Sequence, residues 1–142
     1  MFKVLLIGMP IVWGNLFLQA YINVWSIRYY LRKSRRAQCG TQGVSSLFGV
    51  ITILMFGSFL QIALWGLVFR WLGEFPSLDT AIYHSGVNFS TLGYGDLVMS
   101  EQWRLLGPIE AINGALMISL SGATMLALLQ DQLKGRFKDY DA

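Results

Sequence analysis

One stretch of this chain, Ser90-Thr91-Leu92-Gly93-Tyr94-Gly95-Asp96, has a chemistry of its own. Glycines on either side of a tyrosine allow positive φ without a Cβ clash. A backbone that alternates right- and left-handed conformations turns successive carbonyl oxygens to one side. Such a row is a ladder of partial negative charge, and what it does is replace the water around a cation. Other chemistries lack their residues. The single Cys39 excludes an internal disulfide and a CxxC metal site, and the single His84 leaves no metal-ligand spacing. No catalytic constellation and no phosphate-binding loop ahead of a soluble-fold helix is present, so an enzyme is not expected.

The elements that position this stretch belong in a bilayer. Of 142 residues, 54% are hydrophobic and only 13% charged, with mean hydropathy +0.49, far from a soluble domain. Val4–Ile27 is a run of 24 residues without a charge, and about 20 suffice to span. A cleaved signal peptide is the rival, but the run is too long and no Ala-x-Ala site follows. Trp13, Tyr21, Trp25, Tyr29 and Tyr30 accompany this span, those near its end as an interfacial belt. Arg28, Arg32, Lys33, Arg35 and Arg36 follow as a basic block, which the positive-inside rule assigns to the cytoplasm with the N-terminus outside. Arg28, Arg32 and Arg35 fall near one helical face. They lie beyond the apolar run, unlike voltage-sensor arginines, and read as a solvated face against anionic lipid headgroups. The net charge of +3 thus points to topology and to membrane lipid as a partner, with no nucleic acid.

Residues 37–46 are small and polar, as in a connecting loop. Leu47–Phe69 is a second run without a charge, 23 residues long, closed by Arg70, Trp71 and Glu74. Gly49, Gly57 and Gly66 within it permit close helix approach. Asn15, Gln19 and Asn23 form an i, i+4, i+8 stripe on the first helix, an interhelical hydrogen-bonding seam. A third span runs from about Leu105 to Gln130. Trp103 and Arg104 precede it, and Lys134, Arg136 and Lys138 follow on the same side as the first basic block.

Between the second and third spans, Pro76 opens a short segment, Ser77–Ser90, with Ser77 as N-cap and Asp79 in the first turn. As a helix it is about 21 Å long, too short to cross and return. A short helix leading into a glycine-rich strand is a re-entrant hairpin, tolerated only where protein buries it around a watery path. Its C-terminal dipole end points a partial negative charge at the membrane centre. Glu110, in the third span after Pro108 and paired with Asn113 at i+3, is costly there. Either it supports the short helix from behind, through His84, Asn88 or Ser90, or it sits at the wet outer end of its own helix. His84 reads as packed or hydrogen-bonded, with pH sensing the alternative. Gly114 and Gly122 are either gating hinges or small-residue packing, and Ser119, Ser121 and Thr124 are candidates for lining a hydrated cavity.

The run Thr91, Leu92, Gly93, Tyr94, Gly95 and Asp96 resembles the selectivity filter of the potassium channel pore family, Thr-Val-Gly-Tyr-Gly-Asp, with Leu92 in place of valine. The resemblance implies an all-α membrane protein with three transmembrane helices, a re-entrant pore helix and a filter, assembled as a homotetramer. Residues 1–46 would be an extra N-terminal helix and basic loop, and 47–133 the pore unit. Within that unit lie an outer helix 47–72, a pore helix 77–90, the filter 91–96 and an inner helix 105–130; 134–142 would be a short cytoplasmic tail. K⁺ would bind the carbonyls of Thr91, Leu92, Gly93 and Tyr94, with the Thr91 hydroxyl at the inner end. Gly95 would turn the chain outwards, and Asp96 behind the outer mouth would accept a hydrogen bond from a pore-helix aromatic, here Tyr83 by spacing. Where some members place a glutamate, Val87 stands, implying a filter less constrained on that side. The implied activity is passive K⁺ conduction across the cell membrane. The alternatives are a weakly selective cation channel or a non-conducting subunit that joins other channel chains.

Overall fold

The computed structural model describes residues 2–34 and 41–140, with side chains described for 2–33 and 45–134. Arg35, Arg36 and Cys39, and the side chains of Arg136 and Lys138, lie outside the described residues. Four helices make up this part: α1 Phe2–Ser34, α2 Thr41–Trp71, α3 Leu78–Phe89 and α4 Leu106–Tyr140. Three are long and apolar enough to cross a membrane, over Phe2–Lys33, Ser45–Trp71 and Leu106–Lys134. The chain is an all-helical integral membrane protein.

The helices run past the apolar stretches that mark them in the sequence. α1 continues through Arg28, Arg32 and Lys33, and α2 starts at Thr41, inside the stretch expected to be a loop. α4 extends to Tyr140 through the expected tail. Hydropathy reports where a helix leaves the hydrocarbon. Arginine, lysine and glutamine are good helix formers, so the backbone bonding continues into water.

α1 lies against both other spans. Gln61 of α2 donates to Gln19 at 2.7 Å, and Gln19 donates onward to Ser121 of α4 at 2.8 Å and to Asn23 at 2.9 Å. Tyr29 sits opposite Gly49 and Ile22 opposite Gly57, so α1 and α2 are antiparallel. Gly8 lies against Leu106 and Ile109, and Gln19 meets Ser121 further along, so α1 and α4 are parallel. The polar stripe is therefore a three-helix knot centred on Gln19, and Ser121 turns to α1 instead of lining a cavity. Two apolar clusters fill the bundle. One gathers Trp65, Phe69, Phe75, Ala81, Phe89, Leu106 and Met117 around α3. The other joins Ile22, Tyr30, Leu47, Val50, Leu54 and Leu128 at the far end.

Candidate functional site

α3 is set by its ends and by what it leans on. Ser77 takes an extended conformation (φ −130°, ψ 156°), and its hydroxyl accepts from the Thr80 N–H at 3.2 Å, satisfying an otherwise orphaned donor. Ser90 ends the helix, its N–H donating to the Gly86 carbonyl at 3.1 Å. Two glycines let neighbouring helices reach the α3 backbone. A Cβ on Gly66 of α2 would stand 2.9 Å from Ile82 Cα, and one on Gly114 of α4 would overlap the Phe89 carbonyl. A bend at Gly114 would have to part α4 from the end of α3. A Cβ on Gly122 would meet nothing within 4 Å.

Beyond α3 the backbone is irregular. Positive φ occurs at Thr91 (60°), Gly93 (59°) and Gly95 (74°), and at neither Leu92 nor Tyr94 between them. Thr91 is the only non-glycine with positive φ among the described residues. The run is anchored at its base: the Val87 carbonyl accepts from Leu92 N at 3.0 Å and Gly93 N at 3.3 Å, and Asn88 O accepts from Thr91 N at 2.8 Å. Val87 itself is buried, and its link to the run is this carbonyl. Among the described residues no hydrogen bond engages the carbonyls of Thr91, Leu92, Gly93 or Tyr94. All residues from Thr91 to Asp96 are exposed in the single chain.

The outer side of this run is tied to α3 by Tyr83, whose hydroxyl donates to Asp96 Oδ2 at 2.8 Å. That bond to Asp96 raises the Tyr83 pKa above its ordinary 10.0, with partial burial and the Asp96 charge adding to it. Next to Tyr83, His84 is buried within an aromatic box, its ring centroid 4.7 Å from Phe75 and 5.5 Å from Phe69. It bonds the Asn88 amide through Nε2 at 2.9 Å and has the Leu97 backbone as a further partner. Burial lowers its pKa below 6.5 against the opposing pull of the Leu97 bond and the Asp96 and Glu74 charges. Beyond Asp96, Glu74 grips the returning loop: Oε2 accepts from Ser100 N at 2.6 Å and Oε1 from Ser100 Oγ at 2.8 Å.

The inner side is different. Glu110 is completely buried, which removes the wet position. Its partner is Ser85 of α3, whose Oγ lies 2.5 Å from Glu110 Oε1 and 2.8 Å from the Ile62 carbonyl of α2. Of the expected partners, His84 and Ser90 bond elsewhere, whereas Asn88 is a second side-chain partner of the Glu110 carboxyl. One hydroxyl hydrogen serves one acceptor at a time, so Ser85 shares itself between α2 and α4. Glu110 Oε2 and both polar atoms of buried Asn113 have no hydrogen-bond partner. Ser119 and Thr124 bond carbonyls of their own helix, Ala115 and Leu120.

Ser85 and the Glu74–Ser100 clamp were not visible as functional in the sequence. A serine in a short helix has no distinguishing signal. Glu74 was legible only as a charge at a helix end, because Ser100, which it grips, lies 26 residues further along the chain.

The arrangement is a bundle wall carrying a short buried helix, followed by an exposed run of carbonyls in alternating conformation. Two buried or tethered supports hold it. A family model described as ion channel matches residues 57–131, more than half of the chain. The match covers the second half of α2 from Gly57, all of α3 with the run after it, and α4 to Asp131, and it leaves α1 outside. Neither a curated protein nor a solved structure matches the chain.

Proposed function

We propose a potassium-selective pore for this chain, which belongs to the ion channel family and so passes ions passively across a membrane. That family is not a class of enzymes. The observation that carries the potassium reading is the alternation of positive φ at Thr91, Gly93 and Gly95, which leaves four successive carbonyls without a partner. Exposed, unbonded backbone at membrane depth is tolerable only against protein or a watery path. Four copies around an axis supply both, so the working unit in this reading is a homotetramer. K⁺ is its permeant ion, held by the carbonyls of Thr91, Leu92, Gly93 and Tyr94. Conduction follows from exchange of hydration water for carbonyl oxygens, with several ions in file and mutual repulsion releasing them. The N-terminus is outside and the two basic clusters are cytoplasmic.

The test is cation flux from liposomes holding the purified protein, comparing K⁺ with Na⁺ gradients, with and without Ba²⁺. The expected result is K⁺-selective, Ba²⁺-blocked flux that disappears in Gly93→Ala, because a Cβ at φ 59° costs about 1–2 kcal/mol in each subunit. Equal flux of Na⁺ and K⁺ would overturn the selectivity and implicate Leu92. A tetramer without flux or ion density would make the chain a non-conducting subunit.

A further inference from the structure

We propose that the basic end of α1 is a binding site for the phosphate of an anionic phospholipid, with Arg28 and Arg32 as the phosphate ligands. An open cavity of about 370 Å³ lies there, lined by Trp25, Arg28, Tyr29, Arg32 and Lys33. Trp25, Arg28, Tyr29 and Arg32 follow i, i+3, i+4, i+7 spacing and so share a helix face. Among the described residues no carboxylate lines the cavity.

The three cations are in different states. Lys33 is engaged: its Nζ donates to Ser45 Oγ at 2.9 Å and lies 5.8 Å from the centre of the Tyr29 ring. Arg28 and Arg32 are exposed and have no hydrogen bond or ion pair among the described residues. Two free guanidiniums one helical turn apart present the planar donor forks that suit a phosphate.

Depth argues that the phosphate belongs to a lipid. Arg28 is the first charge after the 24 uncharged residues Val4–Ile27. Those residues make about 36 Å of helix, slightly more than the roughly 30 Å hydrocarbon thickness. The guanidiniums thus stand at headgroup level, with Trp25 and Tyr29 as interfacial aromatics. From the cavity an exposed apolar ridge of Tyr21 and Phe17, each 71% exposed, runs along α1 towards the middle of the membrane. Phe17, Tyr21, Trp25 and Arg28 are spaced by four, four and three, so one face carries an acyl track that ends at the cations. The site lies on α1, outside the segment matched by the family model, and it stands whether or not the pore selects potassium.

The test uses the full-length protein in phosphatidylcholine bilayers with a minor fraction of phosphatidylglycerol. Lipid that stays bound after mild detergent extraction is quantified by mass spectrometry. Wild type is expected to retain phosphatidylglycerol over phosphatidylcholine, and R28Q/R32Q to lower that retention about tenfold or more. R70Q/R104Q removes the same charge near the other end of the bundle and is expected to retain the lipid. Equal loss in the two double variants would reduce the effect to net charge and overturn the site, as would full retention in R28Q/R32Q. R28K/R32K keeps the charge without the forks and should lose retention several-fold; unchanged retention there would overturn guanidinium recognition. Excess inorganic phosphate should leave the lipid bound, and displacement by it would reassign the site to free phosphate.

Discussion

Two carboxylates brace α3 from opposite sides. Asp96 is exposed and accepts from Tyr83, itself 46% exposed. Glu110 is completely buried, shares one serine hydroxyl with a backbone carbonyl, and leaves Oε2 without a partner. Water can replace a lost partner on the first side but not on the second. A lost hydrogen bond costs little where solvent repairs it and the full desolvation penalty where it does not. The outer brace is therefore suited to adjusting the carbonyl run, and the inner brace to holding the helix in place.

The largest effect expected of a single change is on the inner side. Gly114→Val would drive a branched side chain into the Phe89 backbone. It should cost about 3 kcal/mol or more, seen as loss of the folded protein or a large fall in thermal midpoint. A midpoint within a degree of wild type would mean that α4 does not press on α3. Ser85→Ala comes next, at about 1–3 kcal/mol, because it removes the short bond from Ser85 to the buried Glu110 carboxyl. If Ser85→Ala proved neutral, the contrast between the two braces would collapse.

Smaller effects belong to the outer side. Burial holds the His84 pKa below 6.5, so its contribution is present above pH 6.5 and lost as pH falls through the lowered value. Thermal stability should therefore fall on acidification, and His84→Gln should flatten that part of the profile. Tyr83→Phe is the smallest, with no measurable change in midpoint from pH 6 to 9 but altered filter behaviour, such as its rate of inactivation, in single-channel records. The Tyr83 pKa is raised, so its bond is complete below pH 10.0 and is lost only as pH rises through the elevated value. A variant whose currents match wild type would remove Asp96 and Tyr83 from filter control.

The same contrast explains what was legible beforehand. Tyr83 and Asp96 are 13 residues apart in one hairpin; the family resemblance implied an aromatic partner for Asp96, spacing picked out Tyr83, and Ser77 announced its cap by residue type. Ser85 and Glu110 are 25 apart, and their meeting depends on how α4 is rotated against α3, which no local pattern records. Gln19 and Ser121 are 102 apart. The polar stripe on α1 was readable, but its partner on α4 was not. Hydropathy located the three spans and missed the helix ends, because charged helix formers carry α1 and α4 into water. The alternation of Gly93 and Gly95 was visible, whereas the positive φ of Thr91 was not, since nothing in a threonine side chain calls for it.

Mechanically, α4 is a beam on two supports. The first is the seat of Gly114 against Phe89, and the second is the bond from Gln19 to Ser121. A loaded beam curves most where it leaves its last rigid support, and the next residue is Gly122, where a Cβ would meet nothing within 4 Å. Below it, Met125 and Leu128 pack in an apolar cluster, and apolar contacts slide without a directional penalty. The remaining segment to Tyr140 is about 28 Å long at 1.5 Å per residue. A deflection of about 20° at Gly122 would swing its tip by about 10 Å for that length, while the carbonyl run stayed clamped above.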